Sequence, residues 1–414
     1  MDIPMKRVVV TGLGVISPVG NTVEDFWRNV VEGNCGIGTI TRFDSTDYKV
    51  HLAAEVKDFD PFQYMERSEV ARTDPYIRYA MASTQQAVEQ SGFLPTVSPE
   101  RFGIISGSAI GGVTTCFREH AKLLANGPRR VSPFFVPMFI ANMASGLLAI
   151  RYNCRGLVMP TVTACATGAA AIGEAYEKIR FGLADVMIAG GSEAAITDCA
   201  IAGFSNMKAL SLSDDPLAAS LPFDLRRSGF VMGEGSATLI LEEYEHAVRR
   251  GAPLLGEICG YGATCDAYHL ATPRPDGKQG GRAMAESIRQ ANWQPGENVY
   301  LNAHGTGTPL GDIAESQAVH EVFGEHAARV PVSSTKSVTG HMIGAAGAAE
   351  AIICLLAMRD GIVPPTIGLT EPDPKCDLDY VPLKARPFRP TLTLSNSFGF
   401  GGHNVSLAMR PVRG

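Results

Sequence analysis

The chain has 414 residues, of which 44 are glycine, 19% are charged, 45% are apolar and only 7% are aromatic. That balance excludes a disordered chain, a coiled coil and a collagen-like repeat, and describes a globular core filled by Ala, Val, Leu and Ile. The net charge of −6 argues against sequence-independent DNA binding, which needs a basic surface, so no nucleic-acid partner is expected.

Residues 6–12 (KRVVVTG) form a β-branched run closed by Gly and read as a buried strand. Segments 102–107, 185–190, 299–303, 332–335 and 392–395 read the same way. Helical patterns over 76–91, 169–180, 281–292 and 312–323 lie between them, an alternation that implies an α/β fold with helices covering the sheet faces. A weak internal repeat is visible. The strands FGIISGS and TVTACATG, an Ala/Gly helix over 166–179 and the strands DVMIAGGSEA and SATLILEE are echoed by VYLNAHGT, VSSTKSVTG, a second Ala/Gly helix over 342–358, TLTLSNSFGFGG and NVSLAMR. The repeat predicts two similar halves, 1–250 and 251–414, that share one core, with the small-residue helices buried between two sheets.

The run 342–358 is short for a membrane span and contains Glu350, so a buried helix is expected instead. The first dozen residues hold too short an apolar run for a secretory signal. The nine cysteines are odd in number and include no CxxC pair, which points to reduced thiols in a cytoplasmic setting.

In TVTACATG (161–168) an apolar segment turns abruptly into an Ala/Gly helix with Cys165 at the turn. A thiol there feels the positive end of the helix dipole, and free backbone N–H groups can bind an oxyanion. The other eight cysteines read as structural. In NAHGTGTPLGD (302–312), His304 precedes a loop on which Thr306 and Thr308 offer hydroxyls, and the glycines let backbone approach a ligand. In STKSVTGHMIGAAG (334–347), Lys336 and His341 flank the turn into the second Ala/Gly helix. Pseudo-symmetry then brings His341 toward Cys165. NSFGFGGHN (396–404) surrounds Phe398 and Phe400 with glycine, as a loop beside a pocket would, and His403 and His269 read as ordinary loop histidines. One Cys and two His at element ends suit nucleophilic acyl transfer.

These four motifs, in this order, resemble the elongating beta-ketoacyl-acyl-carrier-protein synthases of bacterial fatty acid synthesis, synthase II type, from VVVTGLGVISPVGN (8–21) to the last strand. The resemblance implies a thiolase-like, duplicated five-layered αβαβα fold and an acyltransferase that lengthens an acyl chain by decarboxylative condensation. By this resemblance Cys165 is the nucleophile. His304 and His341 bind the malonyl thioester carbonyl, and the N–H groups of Cys165 and Phe400 hold the oxyanion. Phe400 also gates the malonyl side, and Lys336 with Glu315 supports the His pair. Thr306 and Thr308 contact the pantetheine arm, while Ile110 sits at an acyl pocket reached across a dimer interface. Arg67, Arg72, Arg129, Arg130 and Lys208 fall in segments that dock the acidic carrier protein. No free cofactor and no metal are implied, because the phosphopantetheine arm arrives on the carrier.

The nearest alternative is a type II polyketide ketosynthase subunit, which uses the same motifs. A thiolase acting on coenzyme A esters would not use this His–His set, and a non-catalytic chain-length partner would lack Cys165. The segment TGLGVISPVG (11–20) lacks the GxGxxG spacing of a dinucleotide site.

Overall fold

The computed structural model describes residues 5–413. Ten strands form one sheet: β1 (Val8–Ile16), β2 (Phe102–Gly107), β3 (Val158–Met159), β4 (Val186–Glu193), β5 (Gly235–Glu243), β6 (Gly256–Cys265), β7 (Val299–Asn302), β8 (Val332–Ser333), β9 (Leu392–Gly399) and β10 (His403–Arg410). Their spatial order is β8-β7-β9-β10-β6-β1-β5-β4-β2-β3. The first five strands are ordered β3-β2-β4-β5-β1 and the last five β8-β7-β9-β10-β6, the same permutation twice. The repeat seen in the sequence is thus a repeat of topology. The two expected sheets are joined at one edge, where Val8–Val10 of β1 pairs antiparallel with 256–258 of β6. Residues 1–4 and 414, the outermost positions of the expected halves, lie outside the described residues.

Both halves solve the same packing problem in the same way. Every residue of β1 is buried, as its unbroken apolar run requires. A methyl group on Gly12 or Gly14 would overlap the carbonyl oxygens of Ala87 and Ser83 in α1 (Pro75–Ser91). Likewise, a methyl on Gly260 or Gly262 of β6 would overlap the carbonyls of Ser287 and Ala283 in α3 (Lys278–Gln290). Only glycine lets each outer helix sit this close to its strand.

Between the halves lie α2 (Thr167–Arg180) and α5 (Ala346–Asp360). A Cβ at Gly168 would sit 2.9 Å from Ala348 N, and one at Gly347 would sit 2.8 Å from Ala169 N. Larger residues would push the two helices apart in a close-packed interior. This is where much of the surplus glycine and alanine is spent. α5 is buried continuously from Ala346 to Ala357, as its composition suggested. The layers run outer helix, half-sheet, α2 with α5, half-sheet, outer helices α3 and α4 (Gly311–Phe323).

Two strands read from the sequence are shorter. Residues 161–168 are a loop and a 3-10 turn, and the neighbouring strand is only Val158–Met159. The reason is local: Thr163 N–H donates to Thr167 Oγ1 at 3.0 Å, and Thr161 Oγ1–H to the Thr167 carbonyl at 3.1 Å, so the threonines bond within the turn instead of to a ladder. Likewise β8 stops at Ser333, and Lys336–Thr339 is already a helical turn. Among the described residues, no helix is long and apolar enough to cross a membrane.

Candidate active site

Cys165 occupies the 3-10 turn Ala164–Ala166 that leads into α2. Ala164 has φ +51°, a left-handed value unusual for alanine and common at functional turns. Gly399, the last residue of β9, closes on this turn, and a Cβ there would lie 2.6 Å from the Thr163 carbonyl oxygen. No side chain caps the start of α2, and the amides of Phe400 and Cys165 both favour a charge on the sulfur. Burial nonetheless dominates and pushes the thiol up to about 12, against Lys336 and those amides. The low thiol pKa expected from the helix end is therefore not met, and the thiol is the resting form.

His304 follows β7, and α4 carries Glu315 back beneath it. The N–H groups of His304 and Gly305 donate to Glu315 Oε1 and Oε2 at 2.9 and 2.7 Å, and Asn396 Nδ2 donates to Oε1 at 3.1 Å. Glu315 thus fixes the backbone that presents the ring. His341 is held by its own backbone, whose N–H donates to the Val231 carbonyl at 2.7 Å and whose carbonyl accepts from Gly233 N–H at 2.8 Å. The two imidazoles meet edge to face with centroids 5.5 Å apart. His304 Nδ1 and both ring nitrogens of His341 are buried without a protein partner. Burial, reinforced by Lys336, holds both rings well below the ordinary histidine range, so both are neutral.

Lys336 is buried, and its ion-pair partner is Glu350 of α5. The sequence reading set Lys336 and Glu315 together as support for the His pair; Glu315 bonds the His304 backbone, and the direct ion pair of the lysine is with Glu350. Glu350 stands on the central helix, one layer inward, where only an ion pair makes a lysine tolerable.

A cavity of about 500 Å³ is lined by Cys165, His304, His341, Phe400, Thr306 and Thr308. The two threonine hydroxyls lie 3.1 Å apart. Phe400 opens a short turn pinned from outside: Gly401 N–H donates to the Leu270 carbonyl at 2.8 Å, and Asn404 Nδ2 to Asp266 Oδ1 at 2.7 Å. His269 lines the cavity too, but its Nδ1 accepts from Ala271 and Thr272 N–H, which makes it a turn cap. Ile110 packs in the apolar cluster that contains Cys165, Phe204, Phe230 and Ile343.

The basic residues separate. Lys208 lines the cavity, whereas Arg67, Arg72, Arg129 and Arg130 are exposed and do not line it. Arg67 stacks over Phe62 and Arg72 over Phe134.

Two features escaped the motif reading. Glu193, fully buried at the end of β4, lies close enough to oppose a charge on Cys165. Asn302 Oδ1, Glu350 Oε2, Ser395 Oγ and Asn396 Oδ1 are buried without protein partners, with Ser395 opposite Asn302 in the β9–β7 register. Such all-oxygen donors could hold a hard cation. Neither feature has a residue-type signature; the one hint of the first is an acid, Glu193, closing the apolar run VMIAGGSE.

A thiol, two neutral imidazoles and unspent amides on one cavity are the equipment of a thiolase-like condensing enzyme. Residues 5–247 match the family described as "Beta-ketoacyl synthase, N-terminal domain" and residues 255–370 its C-terminal domain. The chain is 49% identical over 411 residues to a 3-oxoacyl-[acyl-carrier-protein] synthase 2 of Synechocystis sp., covering 99% of each chain. It is 48% identical to the synthase 2 of Staphylococcus aureus (strain COL), covering 98% of each. A beta-ketoacyl synthase from Burkholderia phymatum superposes with a TM-score of 0.92 at 36% identity, covering 99% of this chain and all of that one. A type II polyketide ketosynthase solved with its acyl-carrier protein gives 0.91 at 33%, with the same coverage. The chain belongs to the beta-ketoacyl synthase family.

Proposed function

We propose that this chain is a 3-oxoacyl-[acyl-carrier-protein] synthase that lengthens fatty acyl chains by two carbons. The observation that carries the reading is the single cavity that Cys165, His304, His341 and Phe400 line together. In the first half-reaction Cys165 Sγ attacks the acyl thioester, its proton leaves with the carrier's pantetheine thiol, and the oxyanion sits between the N–H groups of Cys165 and Phe400. In the second, His304 and His341 donate to the malonyl thioester oxygen. The bond to the carboxylate breaks, carbon dioxide leaves, and the electron pair passes to the α-carbon as an enolate. That carbon attacks the acyl-Cys carbonyl, and the sulfur leaves. Neutral imidazoles are donors that need no proton from water, and burial keeps them neutral.

Glu315 positions His304, Lys336 supplies charge behind the pair, and Thr306 and Thr308 meet the pantetheine arm. No free cofactor is needed. The N-terminal half, 1–250, supplies the nucleophile and the C-terminal half, 251–414, the histidines. The setting is cytoplasmic. Identities of 46–49% to synthases of this name, against 33% to a type II polyketide ketosynthase, favour fatty acid elongation over the polyketide alternative. The test is condensation of purified acyl-carrier and malonyl-carrier protein over a range of acyl lengths; a protein that accepts only polyketide starters overturns the fatty acid reading.

The carrier is an acidic partner, and Lys208, Arg67, Arg72, Arg129 and Arg130 form its docking rim. Arg129→Glu with Arg130→Glu should raise the KM for carrier-bound substrate about tenfold, with kcat nearly kept, and more strongly at low salt. An unchanged KM places the rim elsewhere.

The working form is a homodimer. β3 is an edge strand, paired only with β2, and Leu157, Val162 and Ile150 are exposed near it. A second copy of this chain would cover that apolar edge. Leu157→Lys with Val162→Lys should halve the mass seen by sedimentation and lower acylation, since Ile110 would lose the far wall of its pocket.

A further inference from the structure

The duplication identifies the position equivalent to the nucleophile. The turns Ala164–Ala166 and Ile343–Ala345 both open with a left-handed non-glycine residue, φ +51° at Ala164 and +47° at Ile343, and each runs into a central helix. Gly344 is therefore the counterpart of Cys165. β4 and β9 both have eight residues, and each starts opposite the first residue of its parallel neighbour, Val186 against Phe102 and Leu392 against Val299. Glu193 is therefore the counterpart of Gly399. In one half, Gly399 leaves room above the Cys165 amide. In the other, Glu193 fills that room with a carboxylate.

The carboxylate holds two loops at once. Oε2 accepts from Gly344 N–H at 3.1 Å and Ala109 N–H at 2.9 Å; Oε1 accepts from Ser108 Oγ–H at 2.8 Å and Ile110 N–H at 3.4 Å. Ser108 Oγ in turn accepts from Gly111 N–H at 2.9 Å, so the whole 108–111 loop is folded onto Glu193. The first loop carries Ile110, in one apolar cluster with Cys165 and Ile343. The second begins at His341, which stands three residues before Gly344. A Cβ at Gly344 would lie 2.7 Å from both Glu193 Oε2 and Ala109 N, so the two loops and the carboxylate cannot shift independently.

We propose that Glu193 is a positioning residue that couples the acyl pocket to the decarboxylation site, by tying the Ile110 loop to the His341 turn. An acyl chain seated among Ile110 and Ile343 displaces the first loop, and Glu193 carries the displacement to the second. His341 then reaches its working place only when Cys165 is charged. The coupling limits wasteful loss of carbon dioxide from malonyl substrate that has no acyl group to attack.

The inference rests on the synthase reading, and its test separates the two. Carbon dioxide release from malonyl-carrier protein is measured with Cys165 free and with Cys165 pre-charged by a medium-chain acyl group. In the wild-type protein, charging should speed release about tenfold, within the usual span of coupling between two sites. Glu193→Gln keeps the shape but turns an amide N–H₂ toward one of the backbone donors. It should bring the ratio close to unity while the free-thiol rate and the melting temperature stay near wild type. Ser108→Ala, a milder cut of the same clamp, should lower the ratio part-way, and it decides the matter if Glu193→Gln does not fold. A wild-type ratio of unity, or an unchanged ratio in a folded variant, overturns the coupling and leaves the synthase reading standing. Absence of any ketoacyl product from the wild type overturns the synthase reading itself.

Discussion

Cys165→Ala should abolish ketoacyl product, with a loss of about 10³-fold or more, because no other group on the cavity can hold the acyl chain as a thioester. Its carbon dioxide release from malonyl-carrier protein should persist at the free-enzyme rate, since His304 and His341 are untouched. His341→Ala should show the reverse: Cys165 still takes an acyl group from its carrier, and carbon dioxide release collapses. Mass spectrometry of the acylated protein and a carbon dioxide assay read the two half-reactions separately. Retained ketoacyl product in Cys165→Ala would sink the nucleophile assignment. The wild-type pH profile follows from the same environment. Burial holds the thiol at about 12, so the thiolate fraction climbs about tenfold per pH unit through the neutral range, and the acylation rate should rise with pH without a plateau near 7. A plateau there would mean that substrate binding lowers the thiol far more than the amides of Phe400 and Cys165 do in the free protein.

Legibility from the sequence followed burial. The strand over Phe102–Gly107 and the helix ending at Ser91 were readable because a single unbroken pattern spans them. The cavity residues were readable as motifs because glycine surrounds each of them, and close backbone approach demands it. What escaped was pairing. Glu350 was visible as a lone acid in an apolar helix, yet nothing in the spacing tells that its partner is Lys336, fourteen residues away and on the other side of a turn. Glu193 was hidden for the same reason: its four donors come from two loops, 83–85 and 151 positions distant. The shortened strands failed differently, because Thr161, Thr163 and Thr167 have strand-forming side chains whose oxygens bond locally instead.

Lys336→Met should cost the most stability of any single change near the site. The ammonium and carboxylate are both almost fully buried, so removing the lysine strands a carboxylate in the core, at about 3–5 kcal/mol. The pH dependence fixes the cause. Glu350 is pushed up to about 7 by burial even with Lys336 beside it, against an ordinary value near 4.5. Between those values the folded protein binds more protons than the unfolded chain, so stability falls as pH rises through that window. Without the lysine, which favours the charged form, the folded value moves higher still and the window widens upward. The Lys336→Met melting temperature should therefore sit closest to wild type near pH 5 and fall away steeply by pH 8. Lys336→Met with Glu350→Gln should recover much of the lost stability and flatten that slope, because neither charge of this buried pair remains. It should not recover decarboxylation. Lys336 is one of the groups holding His304 and His341 neutral, and without its field both rings protonate more easily. The double variant should then be stable yet slow, with its carbon dioxide release weakest on the acid side. A slope unchanged by Glu350→Gln would mean that some other buried acid sets it.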